Sequence, residues 1–244
     1  MQNIKFLFAL FFVITFLLPV QIAFGQMFSI GSVEERAQRP PGFFSMIGAS
    51  VDFADFEFRG SGVPDSDRLD FNDNILNIQF ENPGIDINIG LGGSATGMKD
   101  NSYVNLKAKV YNSFIISRAP NFRLGIPLQI STGFTRVNSD FTDYEFEQTS
   151  FSIGSGITSA YRINQRLELA AMFTPNVGFS AARGTFFGGT LYSIQGKLRL
   201  VIDRFFGNNG LAIGYDYDFR DYVLDDERFD HRFTGHGITI GFVF

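Results

Sequence analysis

The sequence predicts an all-β protein: a closed, antiparallel, transmembrane up-and-down β-barrel of ten strands. Three observations predict this fold. The chain is rich in phenylalanine and glycine, with 31 Phe and 26 Gly among 244 residues. Apolar residues alternate with polar or small residues along most of the chain. The chain also begins with the pattern of an export signal and ends in an alternating strand whose last residue is aromatic.

The composition excludes several classes of protein. Only 18% of the residues are charged and 45% are hydrophobic, which excludes a disordered chain. The absence of cysteine excludes a disulfide scaffold, a thiolate zinc site and an iron–sulfur cluster. The net charge of −5 argues against electrostatic capture of nucleic acid. We therefore expect no nucleic-acid partner.

The N-terminal region has the order of a secretory signal peptide. Lys5 is its only charged residue, the apolar run Phe6–Leu18 follows, and Ala23-Phe24-Gly25 offers small residues at both positions that a signal peptidase recognises. We expect cleavage before Gln26, with an uncleaved membrane anchor as the alternative. The expected organisation is a signal peptide at 1–25, a periplasmic N-terminal tail at 26–41 and a barrel at 42–244.

The mature chain divides into ten alternating segments. Side chains on a strand point to opposite faces with a period of two. From Ile85 to Leu91, for example, every second residue is apolar. Each segment therefore has one apolar face and one polar or small face. The ten segments are about 43–58, 75–82, 85–94, 102–116, 123–136, 146–161, 167–180, 189–203, 210–221 and 231–244.

The connections between the segments alternate in length. Those at 82–84, 162–166 and 205–209 are short, whereas 60–74 and 223–230 are longer and acidic. Short turns at one end and long loops at the other are typical of outer-membrane barrels, whose short turns face the periplasm. Eight strands are the alternative if two shorter segments are loops. A soluble β-sandwich is the alternative fold, but its richly charged residues would lie outside.

Two segments interrupt the alternation. Pro127 lies inside a strand and cannot donate a hydrogen bond to the ladder, which predicts a bulge. In the last segment, Phe233 falls on one face and Ile238 on the other, which predicts a second bulge near Gly235.

The C-terminal residues carry a family resemblance. Ile238, Ile240, Phe242 and Phe244 alternate up to the terminal residue. This pattern resembles the signal that outer-membrane barrels present to their assembly machinery. The region 43–244 resembles the small Gram-negative outer-membrane barrels, namely OmpA-like and OmpX-like barrels without a periplasmic domain and the PorT-like barrels of Bacteroidetes-type bacteria. The resemblance implies a place in the outer membrane, contact with its lipid and lipopolysaccharide, and insertion by the barrel assembly machinery.

Charged residues of both signs are predicted to line the lumen. A turn near residue 207 places Lys197 opposite Asp216, and a loop near residue 98 places Asp86 near Lys109. Opposite charges on adjacent strands stabilise each other, and side chains can fill a barrel of about eight strands. We expect a satisfied internal network, with a narrow ion or solute path as the alternative. The predicted members are Asp86, Lys107, Lys109, Glu168, Lys197, Arg199, Asp216 and Asp218.

The sequence has no strong catalytic motif. It contains no phosphate loop and no nucleophile elbow, and we expect no cofactor. His231 and His236 are five residues apart and would lie on opposite faces of a strand, so we also expect no metal site. The remaining candidate is a weak cluster on the last outer loop. It resembles omptin-like proteases in residue types only, since in those a His beside a carboxylate activates water. The cluster consists of Asp225, Asp226, Asp230 and His231.

Three functional hypotheses follow. The favoured one is a non-enzymatic integral outer-membrane barrel with a structural, interaction or assembly role and a filled lumen. The alternative is a small porin-like channel for ions or small solutes. The third hypothesis is a surface enzyme, either omptin-like or lipid A-modifying.

Overall fold

The computed structural model describes residues 39–60, 69–140, 145–182, 189–224 and 229–244. The predicted signal peptide and most of the predicted tail lie outside these residues. The barrel unit begins at Pro40. Its strands are β1 (Met46–Phe58), β2 (Phe71–Asn82), β3 (Ile85–Gly92), β4 (Asn101–Arg118), β5 (Phe122–Ser139), β6 (Glu145–Ser155), β7 (Ile157–Arg162), β8 (Leu167–Ala182), β9 (Gly189–Phe206), β10 (Asn209–Leu224) and β11 (His231–Val243).

The sheet closes into a barrel of ten strands. All pairings are antiparallel, and β1 closes the barrel by pairing with β11. β6 and β7 are two parts of one barrel strand, because both lie between β5 and β8. The predicted fold class is therefore confirmed with ten strands. We call the end with the short connections the turn end and the opposite end the loop end.

Two prolines explain the break between β6 and β7. The registers Leu128↔Ser155 and Gly125↔Thr158 place Gly156 opposite Pro127. The neighbouring strand places Pro175 beside the same point. A proline has no backbone N–H to donate to the ladder. The ladder is interrupted without a change of register, so the predicted bulge at Pro127 is wrong. β4 and β5 shift register elsewhere, between Ile115 and Ser117.

The last strand is regular. β11 pairs residue for residue with β1 and with β10 from His231 to Val243. The predicted second bulge is therefore wrong. Phe233 faces the lumen and Ile238 faces outward. The apolar residues of β11 do change face along the strand. They point outward toward the turn end and inward near the loop end.

The outer face carries an apolar band. On β1 the outward side chains run from Ile47 through Val51 to Phe53, and Asp55 and Glu57 follow toward the loop end. Within a bilayer every backbone group needs a partner, which a closed barrel supplies. In the part of the chain that the structure describes, no helix has the length and hydrophobicity needed to cross a membrane. Aromatic residues on the outer face include Tyr161, Phe173, Phe179, Tyr192, Tyr215 and Phe242.

Candidate functional site: the barrel lumen

A group of charged residues fills the lumen nearest the turn end. Lys197 of β9 reaches across the lumen, and its Nζ lies 2.5 Å from both Glu81 Oε1 and Asp86 Oδ2. Lys109 Nζ lies 2.8 Å from the same Asp86 oxygen. The two ion pairs of Lys197 join β9 to β2 and β3 on the opposite wall, whereas that of Lys109 joins the adjacent strands β3 and β4. The ion pairs of Lys197 therefore cross the space through which a solute would pass.

Arg199 extends this group toward β10 and β11. Its Nη2 lies 2.7 Å from Glu81 Oε1 and 2.6 Å from Asp216 Oδ1. The Thr239 hydroxyl donates to the other oxygen of Asp216. Gln79 Nε2 in turn donates to Thr239 over 2.9 Å. Arg199 is thus held by two carboxylates from different strands.

A second group lies closer to the loop end. Lys107 Nζ is 2.6 Å from Asp218 Oδ2, and Arg220 Nη2 is 3.0 Å from the same oxygen. Arg220 also donates to Asn105 Oδ1 over 3.0 Å and to the Tyr103 hydroxyl over 3.2 Å. One guanidinium therefore connects the charged residues to a buried tyrosine.

The two groups, together with the neighbouring Asp52, which accepts a hydrogen bond from the Ser50 hydroxyl, hold equal numbers of acidic and basic side chains. Burying a single charge is costly unless the charge is paired and hydrogen-bonded. Among the described residues, five basic and five acidic side chains make up this part of the lumen. We call them the charge network: Asp52, Glu81, Asp86, Lys107, Lys109, Lys197, Arg199, Asp216, Asp218 and Arg220.

Seven of the eight predicted lumen residues lie in the charge network. The register places Lys197 opposite Asp216 and Asp86 opposite Lys109, as expected. The ion pairs differ, however, because Lys197 pairs with carboxylates across the lumen and Arg199 takes Asp216. The predicted member outside the network is Glu168, which lies at the turn end beside Arg162.

Sequence reasoning missed three members of the network. Glu81 and Arg220 continue the alternation of β2 and β10 by one step, so the same period would have found them. Asp52 belongs to β1, where Phe53 and Phe56 lie on opposite faces and obscure the inward face.

Aromatic rings fill the lumen at the loop end. Phe56 stacks on Phe71 with ring centroids 5.4 Å apart, and Tyr103 stacks on Phe233 at 5.8 Å. The Arg220 guanidinium lies 4.1 Å from the centre of the Phe233 ring, which joins the rings to the charge network. We call the buried residues here the aromatic cluster: Ala54, Phe56, Phe58, Leu69, Phe71, Ile75, Met98, Tyr103, Val137, Phe146 and Phe233.

His231 packs against the aromatic cluster. Its ring lies 4.1 Å from the Tyr222 ring and 4.8 Å from the Phe146 ring, and the residue is 1% exposed. Its Nδ1 is 3.1 Å from the Phe229 carbonyl oxygen. Two other members of the predicted outer-loop cluster, Asp225 and Asp226, lie outside the described residues, and Asp230 is half-buried.

An N-terminal segment covers the turn end. We call residues 40–45 the strap. The Gly42 N–H donates to Glu168 Oε1 over 2.6 Å, and the Arg123 guanidinium lies 3.9 Å from the centre of the Phe43 ring. Gly42 has a φ of 79°, a left-handed conformation that favours glycine, and an added Cβ would lie 3.0 Å from the Ala160 Cβ. Phe44 packs against the residues where β1, β9, β10 and β11 meet.

The strap borders a cavity of about 170 Å³. The walls include Phe43, Phe44 and Met172, and Lys197 and Arg199 contribute to the same lining. Two further cavities toward the loop end are about 50 and 20 Å³. One water molecule needs roughly 10–15 Å³. The inner cavities therefore have room for a few water molecules only.

Comparison with known proteins finds outer-membrane proteins among the solved structures that resemble this chain. No family model and no curated protein matches the sequence. The chain is similar to the outer membrane protease OmpT from Escherichia coli, with 11% identity, a TM-score of 0.46, and coverage of 87% of this chain and 99% of that chain. It is also similar to Ail, the attachment invasion locus protein of Yersinia pestis, with 13% identity, a TM-score of 0.30, and coverage of 83% and 99%. At such low sequence identities and TM-scores, nothing about the activity or partners of those proteins transfers to this chain.

Proposed function

We propose that this protein is an integral outer-membrane barrel with a non-conducting lumen, and that its role is structural or lies in interactions or assembly. The closed sheet and the apolar outer band support insertion in a bilayer. Export by a cleaved signal peptide remains part of this proposal. N-terminal sequencing of the protein from isolated outer membranes should begin at Gln26. A sequence that begins at Met1 would contradict cleavage.

The side chains that block the lumen at successive levels are the observation that carries the proposal. From the turn end to the loop end, the interior holds the strap, the charge network and the aromatic cluster. Ion pairs that cross the barrel cannot let a hydrated ion pass without breaking. Opening them would also leave charges without partners, which is costly in a confined interior.

Single-channel conductance tests this proposal. The mature protein, residues 26–244, would be refolded, its folding checked by heat-modifiable gel migration, and the protein placed in a planar bilayer. We expect a folded barrel that is electrically silent. Steady conductance with a charge preference would overturn the proposal in favour of the porin-like channel.

The channel hypothesis is the second candidate because charged residues line the successive cavities. Asp86 and Lys197 line both of the two larger ones. Lys197→Ala separates the two hypotheses, because it should change ion selectivity only in a lumen that conducts. Asn138→Ala, an outward substitution near the loop end, is the matched control.

The non-enzymatic role has its own test. A hydrolase that used His231 would need its imidazole at a surface, but the described ring is buried among aromatic side chains. We expect the folded barrel in lipid vesicles to release no fragments from a peptide mixture. Hydrolysis that disappears in His231→Ala, with heat-modifiable migration retained, would support the surface enzyme instead.

A further inference from the structure

Three exposed arginines occupy three consecutive turns at the turn end. Arg118 lies at the β4–β5 turn, Arg166 at the β7–β8 turn and Arg204 near the β9–β10 turn. We call these three residues the arginine arc. Within the described residues, none of the three forms an ion pair with an acidic side chain. Their charges are therefore available to an external partner.

Backbone hydrogen bonds hold these turns side by side. The Arg162 N–H donates to the Asn121 carbonyl oxygen over 2.8 Å, which joins the first turn to the second. The Asp203 N–H donates to the Arg166 carbonyl oxygen over 2.7 Å, which joins the second turn to the third. The arc therefore follows one side of the barrel mouth as a continuous row.

Each arginine of the arc has an exposed apolar neighbour. Ile116 is 61% exposed, Ile163 is 51% and Phe205 is 53%. Each lies within three residues of its arginine. A long basic side chain beside an apolar or aromatic one is typical of the membrane interface, where the apolar part enters the lipid and the charge reaches the head groups. This pairing favours a lipid surface over a soluble partner.

The backbone at Arg204 supports a specific placement. Its φ of 57° makes it the only non-glycine with positive φ among the described residues. This conformation is uncommon for a residue with a side chain, and it is retained where the surroundings require it. The exposed pair Phe205 and Phe206, with ring centroids 4.7 Å apart, follows directly. The turn thus presents one cation next to two rings.

The opposite end of the barrel has the opposite charge. Outward acidic side chains near the loop end include Asp55, Glu57 and Glu147. The basic residues described there are in part neutralised: Arg59 and Arg232 both lie beside Asp221, and Arg136 pairs with Glu145. Lys99 is a further exposed basic residue at the loop end. Among the described residues, the exposed arginines without an acidic partner therefore lie at the turn end.

We propose that the arginine arc binds the phosphate groups of anionic glycerophospholipids in the leaflet at the turn end. A guanidinium is planar and donates two parallel hydrogen bonds to a phosphate, and it keeps its charge at every relevant pH. Anionic head groups attract basic residues near the membrane surface. This inference rests on the proposed place of the barrel in a bilayer, but not on whether its lumen conducts.

The test measures lipid selectivity of the folded barrel. The mature protein would be refolded in phosphatidylcholine vesicles that contain either spin-labelled phosphatidylglycerol or spin-labelled phosphatidylcholine. Electron paramagnetic resonance then measures the fraction of the labelled lipid that is bound to the protein. Among the lipids that contact the arc, we expect each arginine to contribute about a fivefold preference for labelled phosphatidylglycerol over labelled phosphatidylcholine. The preference should fall as salt is added, because the contact lies at an exposed surface.

Two triple variants locate the preference. R118Q/R166Q/R204Q should reduce it to that of phosphatidylcholine, whereas R59Q/R136Q/R232Q at the loop end should retain it. The single variant Arg166→Gln gives a smaller loss and serves if the first triple variant does not fold. Equal loss in both triple variants would overturn the proposal in favour of net charge alone.

The unmodified protein supplies an independent outcome. If it shows no preference for phosphatidylglycerol, the lipid proposal fails without any variant, and an acidic periplasmic protein becomes the better partner for the arc. Heat-modifiable migration in each sample separates this failure from a failure to fold or insert. Failure of the unmodified protein to fold and insert would count against the proposed bilayer location itself.

Discussion

The charge network and the aromatic cluster occupy the same lumen, yet they have opposite chemistry. Around the network the outer wall is the apolar band, whereas near the cluster the outward positions of β1 are Asp55 and Glu57. Where the outward side chains of a strand are apolar, its polar side chains point into the lumen. Where the wall meets water, the apolar face can turn inward, as in a soluble barrel. The surroundings of the wall therefore decide what fills the lumen.

The difference also predicts how each region tolerates substitution. Ion pairs and hydrogen bonds depend on particular atoms at particular positions, so a shape-conserving change that removes a charge breaks them. Apolar packing depends on volume and contact area, so a change to another apolar residue of similar size is tolerated better. Substitutions in the two regions should therefore differ in their effect on the free energy of unfolding.

The largest effect is expected for Asp86→Asn. This change keeps the shape of the side chain but leaves Lys109 and Lys197 without a carboxylate they share. We expect a loss of about 3–5 kcal/mol in the free energy of unfolding, as when one partner of a buried pair is removed. Urea unfolding of the refolded barrel in vesicles measures it. Asn88→Ala, also on β3 and without an ion pair, is the control. Equal losses would show that the charge itself is not what matters.

A similar or smaller effect is expected for Phe56→Ala in the aromatic cluster. Phe56 contacts Phe71, Phe146 and His231. Removing the ring leaves a cavity and should cost about 3–4 kcal/mol. Phe56→Leu should cost only about 1 kcal/mol, because the volume is largely kept. The same urea unfolding compares the two. If the leucine variant loses as much as Asp86→Asn, the contrast between the regions is wrong.

An intermediate effect is expected at the strap. Glu168→Gln weakens the hydrogen bond from Gly42 and the ion pair with Arg162. Because the chain has no cysteine, Ser113→Cys in the cavity behind the strap can be labelled selectively by a charged thiol reagent. Weakening one charged hydrogen bond by about 1.5 kcal/mol should make labelling roughly tenfold faster. Ser131→Cys, buried on β5, should remain slow in both backgrounds. An unchanged rate at Ser113→Cys would show that the strap does not limit access.

The smallest effect is expected for His231→Phe. The imidazole packs as a ring among aromatic side chains, and its one described hydrogen-bonding contact is with the Phe229 carbonyl oxygen. We expect a loss of about 1 kcal/mol, the value of one ordinary hydrogen bond. Thermal unfolding, followed by heat-modifiable migration, measures it. A loss as large as that of Phe56→Ala would mean that the polar character of His231 matters more than its ring.

The period of two predicted most of the wall and part of the lumen. It predicted the strands and seven of the ten members of the charge network, and one further step of alternation reaches Glu81 and Arg220. It could not give the pairing of Lys197 with Glu81, because this contact joins strands on opposite walls and depends on the tilt and stagger of the barrel. Apolar and polar residues do not alternate along the strap, so the contact of Gly42 with Glu168 could not be predicted.

The interruption at Gly156 has a mechanical consequence. Pro127 and Pro175 each replace a backbone N–H by a ring nitrogen on either side of one strand. Fewer hydrogen bonds between strands hold the wall there than between β1 and β11, which pair without a break over thirteen positions. Thermal motion of the wall should be largest around Gly156. The amide hydrogens of this region should be the first among the strands to exchange with deuterium. We therefore expect the wall to be more compliant beside the two prolines than at the seam where β1 and β11 close the barrel.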